Sequence, residues 1–354
     1  RVSRMKNIAR TLTVFIAGVV LISGCATLSR QQPKLSSIDG ESCVLVGEEP
    51  AYLASIPERR LPVVVRSAYI KGPDTVVYEE GRDYILDRNA RTIRRTSTSR
   101  MPDFQKNSLY GQDNFDHSKF PGFGNNDFFV YIDYTPSASL PWPKQKSQFS
   151  YLPNTRAKLK RGDSLKIVAY GDSITAGGDA TKPELIFWQR WASALQGKYH
   201  NVAISIVNGA TGGDSTVQGL SRLKEKVLDA QPDLVIIGFG MNDHNINSVP
   251  VDQFALNLMQ MIGDIRANTQ AEIILFSAFP PNPKWKFGTH HMQDYADATR
   301  SVAKDVSCAY ADVFNNWQTI AQRKKPEDLL GNNINHPNDY GHWIYFKVLN
   351  AIGL

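Results

Sequence analysis

From residue 165 onward, short apolar runs alternate with longer amphipathic stretches. The runs are LKIVAY (165–170), VAISIVN (202–208), DLVIIGFG (233–240), AEIILFSA (271–278) and CAYADV (308–313). Between them lie helical patterns such as ELIFWQRWASALQGKY and DQFALNLMQMIGDIRAN. Strands separated by helices of this length predict a parallel sheet covered by helices on both faces. Ligands of such sheets bind beyond the carboxyl ends of the strands. The loops that follow the five runs are therefore the places to look for chemistry.

Residues 42–135 carry a different pattern. LPVVVRSAYI and TVVYEEGRDYILD are rich in β-branched and aromatic residues, and FFVYIDY (128–134) reads as a further strand. DRNA (87–90) separates YILD from RTIRRT as a hairpin turn would. With no comparable helical run, this part predicts a small β-sandwich-like accessory domain. The loop YGQDNFDHSKFPGFGNN (110–126) is too rich in Gly and Asn to be a strand. Its aromatics suit either the domain core or the face of a sugar ring, the core being the commoner use. Residues 25–41 are polar and read as a tether. Residues 136–164, rich in Pro and Lys, read as a linker to a second domain at 165–354.

The first 24 residues change the picture of charge and location. Arg1, Arg4, Lys6 and Arg10 make the region around Met5 basic, and TLTVFIAGVVLIS (11–23) is an apolar stretch too short for a comfortable membrane span. The formal charge of +6 owes much to this segment; without it, 36 basic residues face 34 acidic ones. That balance, and the lack of a basic stripe interleaved with aromatics, argues against a nucleic-acid partner. LISGC resembles the lipobox of bacterial lipoprotein signal peptides, with 1–24 as the signal and Cys25 as the lipid-bearing residue. The resemblance implies a membrane anchor on Cys25 in a bacterial cell envelope. Ala26 in the following position favours the outer membrane. A plain secretory signal or an uncleaved anchor is the alternative. Cys43 and Cys308 are expected as buried thiols, with a bridge between them the minority option.

Four loops carry reactive or hydrogen-bonding groups. YGDSITAGG (170–178) places Ser173 directly after a strand, where its backbone N–H can face an anion. NGATGGDST (208–216) lets glycine N–H groups approach a ligand. GFGMNDH (238–244) offers the amide of Asn242, and LLGNNINHPNDYGHW (329–343) offers His336. A hydroxyl, two further oxyanion donors and an imidazole make up the parts for acyl transfer. A base needs a partner on its other nitrogen, and no acid stands just before His336. His244, His290 and His291 lack metal-ligand spacing, and the glycines form no phosphate-binding pattern; neither metal nor cofactor is expected.

At these residues the chain resembles the SGNH, or GDSL, hydrolases. Gly171-Asp172-Ser173-Ile174 is similar to their first block, and Gly213 stands five residues after Asn208 as their second-block glycine does. Gly240-Met241-Asn242-Asp243 is similar to the third block and His336-Pro337 to the last. The resemblance covers about 165–354. It implies an SGNH-type, flavodoxin-like α/β fold, Ser173 as nucleophile and His336 as general base. It also implies an oxyanion hole from the N–H groups of Ser173 and Gly213 and the Asn242 side chain, with Gly212 as the fallback. Asp172 and Asp243 are expected to be structural. The last block departs from D-x-x-H, because Asn333 occupies the acid's position. Asn333 is the first candidate to orient His336, ahead of a backbone carbonyl or Asp312.

An exported chain with a β-rich appendage resembles the esterases that deacetylate polysaccharides. The expected partner is an acylated carbohydrate, and Trp285, in FPPNPKWKFGTHH after the fourth run, is a candidate sugar platform. A lipase or thioesterase, an O-acyltransferase, and a non-catalytic glycan-binding lipoprotein are the alternatives.

Overall fold

The computed structural model describes residues 37–138, 147–245 and 248–354. The leader, Cys25 and residues 26–36 of the tether lie outside these. All five apolar runs are strands: β8 (Leu165–Gly171), β9 (Ile204–Asn208), β10 (Leu234–Gly238), β11 (Glu272–Phe276) and β12 (Ala309–Ala311). Among the described residues, seven earlier strands precede them: β1 (Ile38–Val44), β2 (Ala51–Tyr52), β3 (Val64–Arg66), β4 (Val77–Tyr78), β5 (Tyr84–Asp87), β6 (Thr92–Arg95) and β7 (Phe129–Tyr134).

The late strands form a parallel sheet in the order β12-β11-β10-β8-β9. Val168, Val235, Ile236 and Ile274 are sealed from solvent, which explains runs without polar alternation. The order reverses around β8, which has β9 on one side and β10 on the other. A crevice beyond the carboxyl ends opens at such a switch point, and Ser173 stands there.

Among the described residues, ten helices accompany the sheet: α1 (Pro153–Arg161), α2 (Ser173–Ala176), α3 (Phe187–Lys198), α4 (Thr216–Lys226), α5 (Met241–His244), α6 (Val251–Asn268), α7 (Met292–Asp305), α8 (Val313–Ala321), α9 (Pro326–Leu329) and α10 (Asp339–Asn350). No helix among the described residues is long and apolar enough to cross a membrane.

The early strands make two antiparallel sheets, one ordered β1-β7-β3-β4 and one ordered β2-β6-β5. β5 and β6 pair Asp87 with Thr92 across the expected hairpin. Three differences from the sequence reading stand out. β1 begins at Ile38, inside the segment read as a tether. The segment read as a linker contains α1, whose Leu159 is buried and whose first N–H groups, on Asn154 and Thr155, donate to the Glu272 carboxylate. And the strand layers are not separate: Leu35–Leu354 form one compact unit. A single buried cluster joins Val65 and Ile93 to Ile236 and Tyr340.

Cys43 and Cys308 are both buried and unbridged. Burial raises both thiols, that of Cys308 to about 11, which keeps them protonated and unreactive.

Candidate active site

β8 ends at Gly171, paired with Gly238 of β10. A Cβ on Gly171 would lie 2.2 Å from the Gly238 carbonyl oxygen, so only glycine lets the strands run this close before the chain turns. Asp172 then caps α2, its carboxylate accepting the Ile174 N–H at 2.9 Å. Ser173 is the first residue of α2, and its own N–H has no acceptor within the helix.

Ser173 and His336 are brought together: Oγ and Nε2 are 2.9 Å apart. The other ring nitrogen, Nδ1, is 2.8 Å from Oδ2 of Asp179. Asp179 was not among the sequence candidates. It follows α2 after Gly177, which has left-handed φ, and Gly178; Asp179 itself has φ +58°. That turn carries the carboxylate back across α2 to the imidazole. Gly178 is needed for the approach, since a Cβ there would sit 2.8 Å from Nδ1. From the opposite side, Nε2–H of the buried His342 donates to the Gly178 carbonyl at 3.1 Å.

Asn333 does not orient His336, which corrects the sequence expectation. Its backbone is left-handed, with φ +59°, and its carbonyl and Oδ1 both accept from Asn282 Nδ2, at 2.9 and 3.2 Å. The turn is organised instead by Asn332, whose Oδ1 accepts the N–H groups of Ile334, Asn335 and His336. This Asx-type knot turns residue 333 away from the ring. Asp312 is also excluded as orienter; it caps α8 by accepting the Asn315 N–H.

The loops after β9 and β10 meet beside Ser173. An added Cβ on Gly212 would be 3.8 Å from Ser173 Cβ. Gly213 follows with φ +82°. Asn242 Nδ2 donates to the Asp214 carbonyl at 2.9 Å, which ties the amide to the glycine loop and leaves its second hydrogen for a ligand. Asp243 is structural, accepting from the N–H of Thr216 at 2.9 Å and from its hydroxyl.

Trp285 is the second correction. It is 2% exposed and packs with Leu109, Phe115 and Ile334. Its indole N–H donates to His117 Nδ1 at 3.1 Å. It therefore presents no face to a sugar. Part of the aromatic loop, through Phe115, belongs to the same small core. A cavity of about 350 Å³ lined by Pro281, His290, Trp317 and Leu330 has neither Ser173 nor His336 in its wall. The reacting groups lie in the crevice at the strand ends instead. Among the described residues, no group of three or more His, Cys, Asp or Glu side chains is placed to hold a metal.

Burial pushes the Asp172 carboxyl up to about 7, although its helix-capping bond and the nearby His336 oppose the rise. Its folded pKa lies above the unfolded one, so its contribution to stability is present below about pH 4 and is lost as pH rises through about 7. Burial lowers His342 to about 4. That contribution runs the other way, present above the unfolded value and lost as pH falls through about 4. The difference between wild type and Asp172→Asn isolates the first effect. The variant is expected to gain stability progressively between pH 4 and 7 relative to wild type, measured as urea midpoints. A constant difference across that range would refute the assignment.

A hydroxyl, an imidazole and a carboxylate in series, set at the switch point of a parallel α/β sheet, define a serine-hydrolase type of site. Residues 169–344 match the model of the GDSL-like Lipase/Acylhydrolase family and form a domain of that type. It is similar to an arylesterase of Vibrio mimicus, 31% identical over 121 residues that make up 34% of this chain and 58% of that protein. It is also similar to an acetylxylan esterase of Geobacillus stearothermophilus, 22% identical over 55% of this chain and 97% of that one. Among solved structures, a two-domain esterase active on acetylated mannans aligns with a TM-score of 0.49 and 20% identity, over 57% of this chain and 53% of that chain.

Proposed function

We propose that the protein is a serine esterase that removes O-acetyl groups from a carbohydrate through an acyl-enzyme on Ser173. The observation that carries the reading is the unbroken series from Ser173 Oγ through the His336 ring to Asp179, with contacts of 2.9 and 2.8 Å. In this tautomer Nδ1–H donates to Asp179, and Nε2 accepts the Ser173 hydroxyl proton.

Oγ attacks the ester carbonyl carbon while its proton passes to Nε2. The carbonyl electron pair moves onto oxygen, facing the N–H groups of Ser173 and Gly213 and the second hydrogen of the Asn242 amide. Collapse of this intermediate breaks the bond to the sugar oxygen, which takes the proton from the imidazolium. Water then attacks acetyl-Ser173 with His336 as base, and acetate leaves as Ser173 regains its proton.

The acetyl and carbohydrate parts of the reading are supported by the likeness to an acetylxylan esterase along nearly all of that protein's length. The test uses the full chain. Acetate release is measured from a panel of acetylated polysaccharides, beside turnover of p-nitrophenyl acetate and octanoate. Acetate release with acetyl preferred over octanoyl is the expected result. Preference for octanoyl would replace the reading with a lipase.

We also infer that Cys25 is the lipid-bearing first residue of the mature chain, anchored in a bacterial cell envelope. The support is LISGC behind a basic and then an apolar stretch. Mass analysis of the mature N-terminus is expected to find acylated Cys25; an intact leader or an unmodified cysteine would overturn it.

A further inference from the structure

His336 sits on an arm, residues 328–338, whose ends are fastened to the N-terminal strand layers and not only to the parallel sheet. Asn125, 202 to 206 positions earlier in the chain, is fully buried against it. Its side-chain Nδ2 donates to the carbonyls of Leu330 at 2.9 Å and Glu327 at 3.2 Å. Its backbone N–H donates to the Gly331 carbonyl at 2.7 Å. Asn107 Nδ2 donates to Asn125 Oδ1 at 3.2 Å and so fixes which way the amide points.

Gly331 is the residue through which this seating reaches the reacting groups. Its N–H donates to the His336 carbonyl at 3.0 Å. An added Cβ would lie 2.5 Å from Asp179 Cβ, so Gly331 also packs against the carboxylate residue. At the arm's other end, Asn338 Nδ2 donates to Ser42 Oγ of β1 at 3.0 Å and to the Asp328 carbonyl at 2.9 Å, and Ser42 itself donates to that carbonyl.

We propose that Asn125 is a positioning residue for the His336–Asp179 pair, and that the N-terminal layer forms part of the catalytic framework. This rests on the esterase reading of Ser173 and His336. The carbonyls at 330 and 331 are on buried residues and the one at 327 is half-buried; buried carbonyls need donors, and here one residue from a distant layer supplies all three. A histidine must be held within about 0.5 Å of its productive place for proton transfer, and that precision comes from the residues behind it.

The experiment compares Asn125→Ala and Asn107→Ala with wild type in the full chain. It reads kcat, KM, thermal midpoint and the rate at which a fluorophosphonate labels Ser173. Asn125→Ala is expected to lower kcat about 100-fold, as a misplacement of about 1 Å can, with KM changed less than about threefold. The fluorophosphonate should label Ser173 more slowly for the same reason. Asn107→Ala should shift both in the same direction by less.

A lower thermal midpoint with wild-type kcat and labelling rate would overturn the proposal, since a merely structural role predicts that result. If Asn125→Ala does not fold, Asn107→Ala decides by the same criteria. Failure of the fluorophosphonate to label wild type would sink the esterase reading and this inference with it. Normal labelling of wild type and both variants at one rate would sink the inference alone.

Discussion

Asp179→Asn should cost about 10⁴ in kcat, the loss seen when a triad aspartate becomes an amide and stabilises the wrong imidazole tautomer. Asn333→Ala should cost little beyond the loss of its two contacts with Asn282. The contrast follows from geometry. Asp179 Oδ2 is 2.8 Å from Nδ1, whereas Asn333 turns its side chain to Asn282. Ser173→Ala and His336→Ala should each abolish turnover to near the level left by binding and the oxyanion donors alone. The four variants are measured with p-nitrophenyl acetate over pH 5–9, with circular dichroism to confirm folding. If Asn333→Ala loses more than Asp179→Asn, the acid has been wrongly placed. If Asp179→Asn keeps full turnover, Ser173 and His336 act as a dyad.

The parallel sheet was readable because its central strands, β8, β10 and β11, are largely buried on both faces. Such strands must be apolar nearly throughout, and these runs announced themselves without any partner being known; β9, at the sheet edge, is partly exposed and was read from its β-branched residues. The blocks around Ser173, Gly213, Asn242 and His336 were readable because each follows a strand or precedes the last helix. Asp179 was hidden for a physical reason. It meets His336 across 157 positions, and only the left-handed turn at residues 177–179 brings it there. The one local sign was negative: Asn333 holds the place where an acid was expected, so the acid had to come from elsewhere.

β1 was hidden differently. IDGE (38–41) reads as the end of a polar tether, yet Glu41 and the next residue, Ser42, are fully buried, and their partners Lys324 and Asp328 lie some 280 residues away. Trp285 misled because a tryptophan in a loop can serve a ligand or a core. The sequence does not reveal that Phe115 bridges to it and that Ile334 closes over it.

The same buried charges give the largest expected effect on stability. Lys324 Nζ is sealed from solvent, 3.0 Å from Glu41 Oε1 and 3.7 Å from Asp328 Oδ2, and donates to the Tyr52 carbonyl at 3.0 Å. Burial alone would lower its pKa, but the Asp328 and Glu41 carboxylates outweigh that and hold it charged. Glu41 in turn accepts from Tyr134 Oη at 2.7 Å and from the Ala54 N–H at 2.8 Å. The cluster thus fastens β1, β2 and β7 to the segment just before the His336 arm. Lys324→Met leaves two carboxylates buried without their cation, a change that costs about 3–5 kcal/mol. Adding Glu41→Gln removes one of the uncompensated charges, so the double variant should recover part of the loss, a coupling that a double-mutant cycle reads directly. Urea unfolding of the full chain at pH 7 measures all four proteins. Additive losses would mean that Lys324 and Glu41 contribute separately. A chain beginning near residue 153 would leave Lys324 and the arm without the layers that cover them. It is expected not to yield folded enzyme, and soluble, active protein from that truncation would show that the strand layers are an appendage after all.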